Sequence, residues 1–196
     1  MKKLLSLFLL LSCLLGPVSA EDGSRLWLRQ STDAHTQITA PRQSPTLNIA
    51  VRELKQAWKG LPVTLVLKKD KQLSSEGFRI RQVNGKLTVT SPSETGLLYA
   101  AYHLIRLQEM QNFGKPSETD QEITENPAYD LRILNHWDNL DRSIERGYAG
   151  KSLWNWEELP GTLSDRYEAY ARANASIGIN ATVPVSYTHL TLPTKL

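Results

Sequence analysis

Cysteine is almost absent from this sequence: Cys13 is the single one in 196 residues. It sits inside an apolar N-terminal run, so the chain beyond that run can build neither a disulfide framework nor a thiolate nucleophile. Stability must therefore come from a packed core. An excess of charge is missing too. Lys and Arg total 23, and without Lys2, Lys3 and the near-terminal Lys195 they fall to 20, equal to the count of Asp plus Glu. A neutral chain has no electrostatic reason to bind nucleic acid or an anionic membrane. No Gly-rich phosphate loop and no nucleophile-elbow serine occur. His136 has two aspartates nearby but no second histidine at a ligating spacing, so no metal site and no cofactor are expected.

The N-terminus carries an export signal. Lys2 and Lys3 precede an apolar run over residues 4–15, Gly16-Pro17 breaks it, and Val18-Ser19-Ala20 places small residues at the peptidase positions. The run is too short to span a bilayer, and Glu21-Asp22-Gly23 follows at once. Residues 1–20 are thus read as a cleaved signal peptide, giving a periplasmic or extracellular protein with no membrane attachment after cleavage. The rival is a lipoprotein signal at Leu10-Leu11-Ser12-Cys13, which would anchor the protein through Cys13. At the other end, residues 185–194 read as the translation of a common transposon sequencing adapter. Residues 184–196 are accordingly read as foreign to the natural chain.

Between these ends the pattern divides in two. Arg25-Leu26-Trp27-Leu28-Arg29 alternates as a half-buried strand does. Residues 32–44 are polar and loop-like. Ser44-Pro45 opens a helix carrying Leu47, Val51, Leu54 and Trp58, and Gly60-Leu61-Pro62 stops it. Residues 63–67 form a branched apolar strand. Residues 78–81 and 87–90 flank Asn84-Gly85, the signature of a type I′ hairpin. Ser91 and Glu94 have the spacing of a capping box, and the helix they open carries Leu97, Leu98, Ala101, Leu104, Ile105 and Leu107. Residues 21–126 are therefore expected to form an α+β domain, with residues 115–127 as a polar linker. Residues 127–183 then read as strand (129–134), long loop, helix capped by Ser164 and stopped at Gly178, and strand (179–183). That order suits the first βα unit of a (β/α)8 TIM barrel, cut off early. The segment lacks the strands that would cover its apolar surface, so hydrogen-exchange protection is expected in the first domain and little of it here.

The loop after the strand at Leu134 concentrates the chemistry. It reads Asn135-His136-Trp137-Asp138-Asn139-Leu140-Asp141, then Ile144-Glu145-Arg146-Gly147-Tyr148, with Trp154-Asn155-Trp156 close behind. Flat aromatic faces stack on sugar rings, and Asn, Asp, Glu, Arg and His sort hydroxyls through directional hydrogen bonds. Asp138 and Glu145 are carboxylates of the kind that glycosidases pair, but the sequence does not fix their separation.

The stretch Leu131-Arg132-Ile133-Leu134-Asn135-His136-Trp137-Asp138-Asn139-Leu140-Asp141, with residues 143–150, resembles the signature of the α-glucuronidases of glycoside hydrolase family 67. Glu76-Gly77-Phe78-Arg79-Ile80 and Gly96-Leu97-Leu98-Tyr99 resemble that family's N-terminal domain. Tyr170-Ala171-Arg172 and residues 176–180 resemble its first barrel helix and second strand. Arg142 stands where the family pattern carries Gly, and the pattern stops after Val183. The resemblance implies hydrolysis, with inversion, of the α-1,2 bond joining glucuronic acid, or its 4-O-methyl form, to the terminal xylose of xylo-oligosaccharides. It places the catalytic carboxylates beyond Val183, so that this chain alone is inactive, and leaves a homodimer open for the full-length parent. The loop here would help to form the uronic acid pocket: Trp137 for ring stacking, with His136, Asp138, Glu145 and Arg146 as polar contacts or supports. A different class of reading is a non-catalytic exported carbohydrate-binding or surface-attachment module, which would end in a completed fold.

Overall fold

The computed structural model describes residues 26–28, 31–111, 120–159 and 161–184. The signal, Cys13 and the tail from residue 185 onward lie outside the described residues.

The first half is a five-stranded sheet with two helices on one face. In chain order come β1 (Ile38–Thr39), α1 (Pro45–Ala57), β2 (Val63–Leu67), β3 (Phe78–Val83), β4 (Lys86–Ser91), α2 (Glu94–Gln111) and β5 (Gln121–Glu125). The strand order is β1-β2-β4-β3-β5. β1, β2 and β4 run parallel, while β3 is antiparallel to both β4 and β5. Alternation decides the faces. Val63, Leu65, Phe78, Ile80, Leu87 and Val89 point into the core against Leu47, Leu54, Leu97, Ala101, Leu104 and Ile105 of the helices. Each such fully buried aliphatic side chain contributes about 1.5–3 kcal/mol. The opposite face is wet and charged, with Arg79 paired to Asp70 and Arg81 to Glu122.

The hairpin is as the sequence requires. Asn84 and Gly85 take φ of 48° and 70°, the left-handed pair that a type I′ turn needs. Ser44 caps α1, accepting from the Leu47 N–H at 3.2 Å, with Pro45 in the first turn.

Three local expectations change. Residues 26–28 form a turn rather than a strand, with Leu28 buried and Leu26 at φ 48°. Five residues of the expected linker form β5, an edge strand that offers only Ile123 to the core and spends its other side chains on water and ion pairs. The capping box does not form. Ser93 caps α2 by accepting from Gly96 N–H at 3.1 Å, while Ser91 is buried and donates to the Gly77 carbonyl at 2.7 Å. Glu94 turns instead to the start of α1, where the Ser44 hydroxyl and then Arg42 hold its carboxyl below the usual carboxylate range.

The second half is a βαβ unit: β6 (Ile133–Asn135), a long loop, α3 (Asp165–Ser176) and β7 (Ala181–Val183), with β6 and β7 parallel. Ser164 caps α3 and Gly178, at φ 78°, ends it, as expected. The strand expected over residues 129–134 begins only at Ile133. Before it, the Arg132 guanidinium is drawn to Glu76 and to the carbonyls of Tyr129 and Gly178.

α3 docks on the first half. Arg172 makes a bidentate pair with Glu53 of α1, both contacts at 2.8 Å. Ser176 accepts from the Trp27 indole at 3.0 Å, and Ala175 packs on the core.

Candidate functional site

The loop at the C-terminal end of β6 is built by its own turn chemistry. The Trp137 carbonyl accepts from Glu145 N–H at 2.7 Å, Asp138 bridges Ile144, and the Ser143 carbonyl accepts from Asn139 N–H at 2.9 Å. Asp141 accepts from both the main-chain N–H and the hydroxyl of Ser143, at 2.9 and 2.6 Å. Asn139 and Asp141 thus help to fold the loop. Arg142 closes the turn at φ 71°, a conformation that favours glycine. The Gly that the resemblance leads one to expect there would have a backbone reason.

Alternation along residues 136–138 sorts the expected site residues into two layers. His136 and Asp138 lie beneath. His136 Nε2 is 2.7 Å from the Tyr170 hydroxyl, and its Nδ1 is 3.8 Å from Asp138 Oδ2. Asp138 is 6 % exposed and accepts from the Ser152 hydroxyl at 2.5 Å. Its carboxylate is spent inside the protein, which suits a support better than an acid or base.

Trp137 and Arg146 lie on the outer layer. Trp137 is 39 % exposed, and the Arg146 guanidinium sits 4.6 Å from its ring centroid. Arg146 itself is at φ 60° in a short 3-10 turn, with Glu145 half-buried beside it.

An aromatic cluster that sequence reasoning left scattered backs the lower layer. Trp154 stacks on Tyr167 with centroids 5.6 Å apart, and meets His136 and Tyr170 edge-on at 5.7 and 5.3 Å. Beside it a depression of about 340 Å³ runs along Leu163, Tyr170, Asn174 and Thr182. Tyr170, Ser152 and Thr182 were not among the expected site residues. Tyr170 had one signal, its place in the Tyr170-Ala171-Arg172 segment; the two hydroxyl residues had none, since single Ser and Thr residues carry no pattern.

The family pattern described as "Glycosyl hydrolase family 67 middle domain" matches residues 112–188, ending inside the stretch read from sequence as foreign. Alpha-glucuronidase A of Aspergillus tubingensis is 31% identical over 212 aligned positions, covering 89% of this chain and 25% of that protein. A probable alpha-glucuronidase A of Aspergillus clavatus is 36% identical over 113 positions, covering 57% of this chain and 13% of its own length. The chain thus spans about a quarter, or less, of the relatives it matches. Among solved structures, a GH138 enzyme targeting pectin rhamnogalacturonan II shares the fold, with a TM-score of 0.53 at 16% identity, covering 75% of this chain and 18% of that one.

Proposed function

We propose that the chain belongs to glycosyl hydrolase family 67, whose middle-domain pattern it matches over residues 112–188, and that its full-length protein is an exported α-glucuronidase. It removes glucuronic acid, or the 4-O-methyl form, from the terminal xylose of xylo-oligosaccharides by hydrolysing the α-1,2 bond with inversion. The observation that carries the reading is the Trp137–Arg146 pair. An exposed indole matches the apolar face of a sugar ring, and a guanidinium beside it matches a carboxylate bidentately. A neutral sugar would need the first group and not the second.

In this reading residues 21–126 are an accessory α+β domain, and residues 127–183 open the catalytic barrel. The loop after β6 supplies part of the uronic acid pocket, with Trp137, Glu145 and Arg146 toward the sugar and His136 and Asp138 supporting them. The acid that protonates the leaving oxygen and the base that activates water come from later barrel strands.

The test is release of glucuronic acid from aldouronic acids by the full-length protein, with the product anomer read by NMR before mutarotation. Trp137→Ala in that protein should lower kcat/KM at least roughly tenfold, about 1.4 kcal/mol, with partial rescue by Phe. An unchanged kcat/KM with a lowered Tm would make Trp137 a packing residue only. Cleavage of another glycoside with no action on uronic acids would sink the reading as a whole.

Export is the remaining element, motivated by Lys2-Lys3, the apolar run and Val18-Ser19-Ala20. Mass spectrometry of the exported protein should find Glu21 at its N-terminus, whereas a lipid-modified Cys13 would replace release by anchoring.

A further inference from the structure

Three hydroxyl or imidazole groups form a chain from β6 to the loop, and proton counting gives that chain a direction. Thr182 Oγ1 is 3.1 Å from the Leu134 carbonyl, which can only accept, so the single Thr182 proton is committed there. Tyr170 Oη is 2.9 Å from Thr182 Oγ1, which must then accept from the Tyr170 O–H. With its own proton given to Thr182, the Tyr170 oxygen can meet His136 Nε2, 2.7 Å away, only as an acceptor. His136 Nε2 therefore carries a hydrogen. In the neutral ring Nδ1 then carries the lone pair, and Asp138 Oδ2, 3.8 Å away, is too far to hold a proton on it by a hydrogen bond. The same Asp138 oxygen accepts from the Ser152 hydroxyl, whose own oxygen accepts from the main-chain N–H of Trp154 at 3.0 Å.

From this order we infer that Tyr170 is a positioning residue: acting with Thr182, it fixes the tautomer and ring plane of His136 and thereby seats the loop that presents Trp137 and Arg146. The inference rests on the glycosidase reading for its purpose, but not for its chemistry. Two neighbours support a positioning role. The His136 main-chain N–H donates to the Val183 carbonyl at 2.9 Å, so backbone and side chain are both tied to β7. Trp154 stands edge-on to both rings, which leaves the imidazole little room to rotate. Hydrogen bonds set proton placement on an imidazole, and of the two contacts here only that of Nε2 lies within bonding distance.

The test is NMR of the ¹⁵N-histidine-labelled chain, with the His136 signals assigned by their loss in His136→Gln. The neutral ring should show the Nε2–H pattern. Thr182→Val frees the Tyr170 proton to point at Nε2, so the tautomer should move to Nδ1–H. Thr182→Ser keeps the hydroxyl and should keep Nε2–H, and Tyr170→Phe should give a mixture. An Nδ1–H ring in the unaltered chain, or the averaged pattern of a free imidazole, overturns the inference, and so does a folded Thr182→Val with an unmoved tautomer. A merely structural tyrosine would alter stability in these variants without moving the tautomer. The glycosidase reading fails separately, if the full-length protein releases no glucuronic acid whatever the tautomer.

Discussion

Replacing Arg172 by methionine should lower the amide protection of α3 by about two to four orders of magnitude while leaving the centre of the five-stranded sheet nearly unchanged. Glu53 is 1 % exposed, and both its oxygens are occupied by the Arg172 guanidinium at 2.8 Å. Removing one partner of a buried pair leaves an uncompensated charge, at about 3–5 kcal/mol, which is roughly that loss of protection. The chain can escape this penalty cheaply. Arg172 reaches Glu53 from α3, while Tyr102 faces it from α2, so undocking α3 should open one side of the carboxylate to water without unfolding the sheet. The loss should therefore be local to Asp165–Ser176 and the strands tied to it.

The partner substitution should be milder. Glu53→Gln leaves a guanidinium whose side chain is already 24 % exposed and can swing to solvent. The double variant, Glu53→Gln with Arg172→Met, should recover much of the Arg172→Met loss, because no unpaired charge remains. Hydrogen exchange by mass spectrometry on the four proteins reads all three effects. Equal loss in sheet and helix would mean that the two halves unfold as one body and that the pair is not a separable clamp.

The pair also shows what was legible in the sequence and what was not. Local signals carried through: Asn84-Gly85 set the hairpin, Ser44-Pro45 and Ser164 set helix starts, and the spacing of Leu97, Leu98, Ala101, Leu104 and Ile105 marked the buried face of α2. Each depends on residues a few positions apart. Failures came where a local rule competed with a distant partner. Ser91 and Glu94 have the capping-box spacing, but Ser91 is taken by Gly77 and Glu94 by Ser44 and Arg42, 50 or more positions away in the case of Glu94. Gln121–Glu125 has no apolar alternation, and becomes a strand only because the edge of β3 offers it a ladder.

The motif residues split in the same way. Arg132, Arg172 and Asn180 belong to segments that resemble the family, yet they face Glu76 and Glu53 across the junction rather than the loop. Tyr99, in another such segment, lies under the Arg132 guanidinium at 5.6 Å. Burial, with the Glu76 charge behind it, pushes the Tyr99 hydroxyl above its ordinary value. Sequence marked these residues as characteristic; only the fold tells junction from site.

Gly96→Ala should destabilise the first half by about 2–3 kcal/mol, against the helix propensity that would favour Ala by about 1 kcal/mol. Gly96 lies in the first turn of α2, where its φ is ordinary, so the requirement is space and not backbone freedom. A Cβ there would stand 2.1 Å from Ser91 Oγ, 2.9 Å from the Gly77 carbonyl oxygen and 3.1 Å from that of Glu76. Ser91 cannot turn away without giving up its buried bond to Gly77, and the two carbonyls belong to the chain entering β3. Something in the backbone must move. For a domain of about 100 residues the loss corresponds to a fall in Tm of roughly 10 °C or more. Adding Ser91→Ala to Gly96→Ala removes the nearest clash but leaves the Gly77 carbonyl, so only part of the stability should return. The conservative check is Ser91→Ala alone, which should cost about 1–3 kcal/mol for the orphaned contacts. If Gly96→Ala instead raises Tm, helix propensity has won, and the close approach of α2 to the start of β3 is not what Gly96 is there to permit.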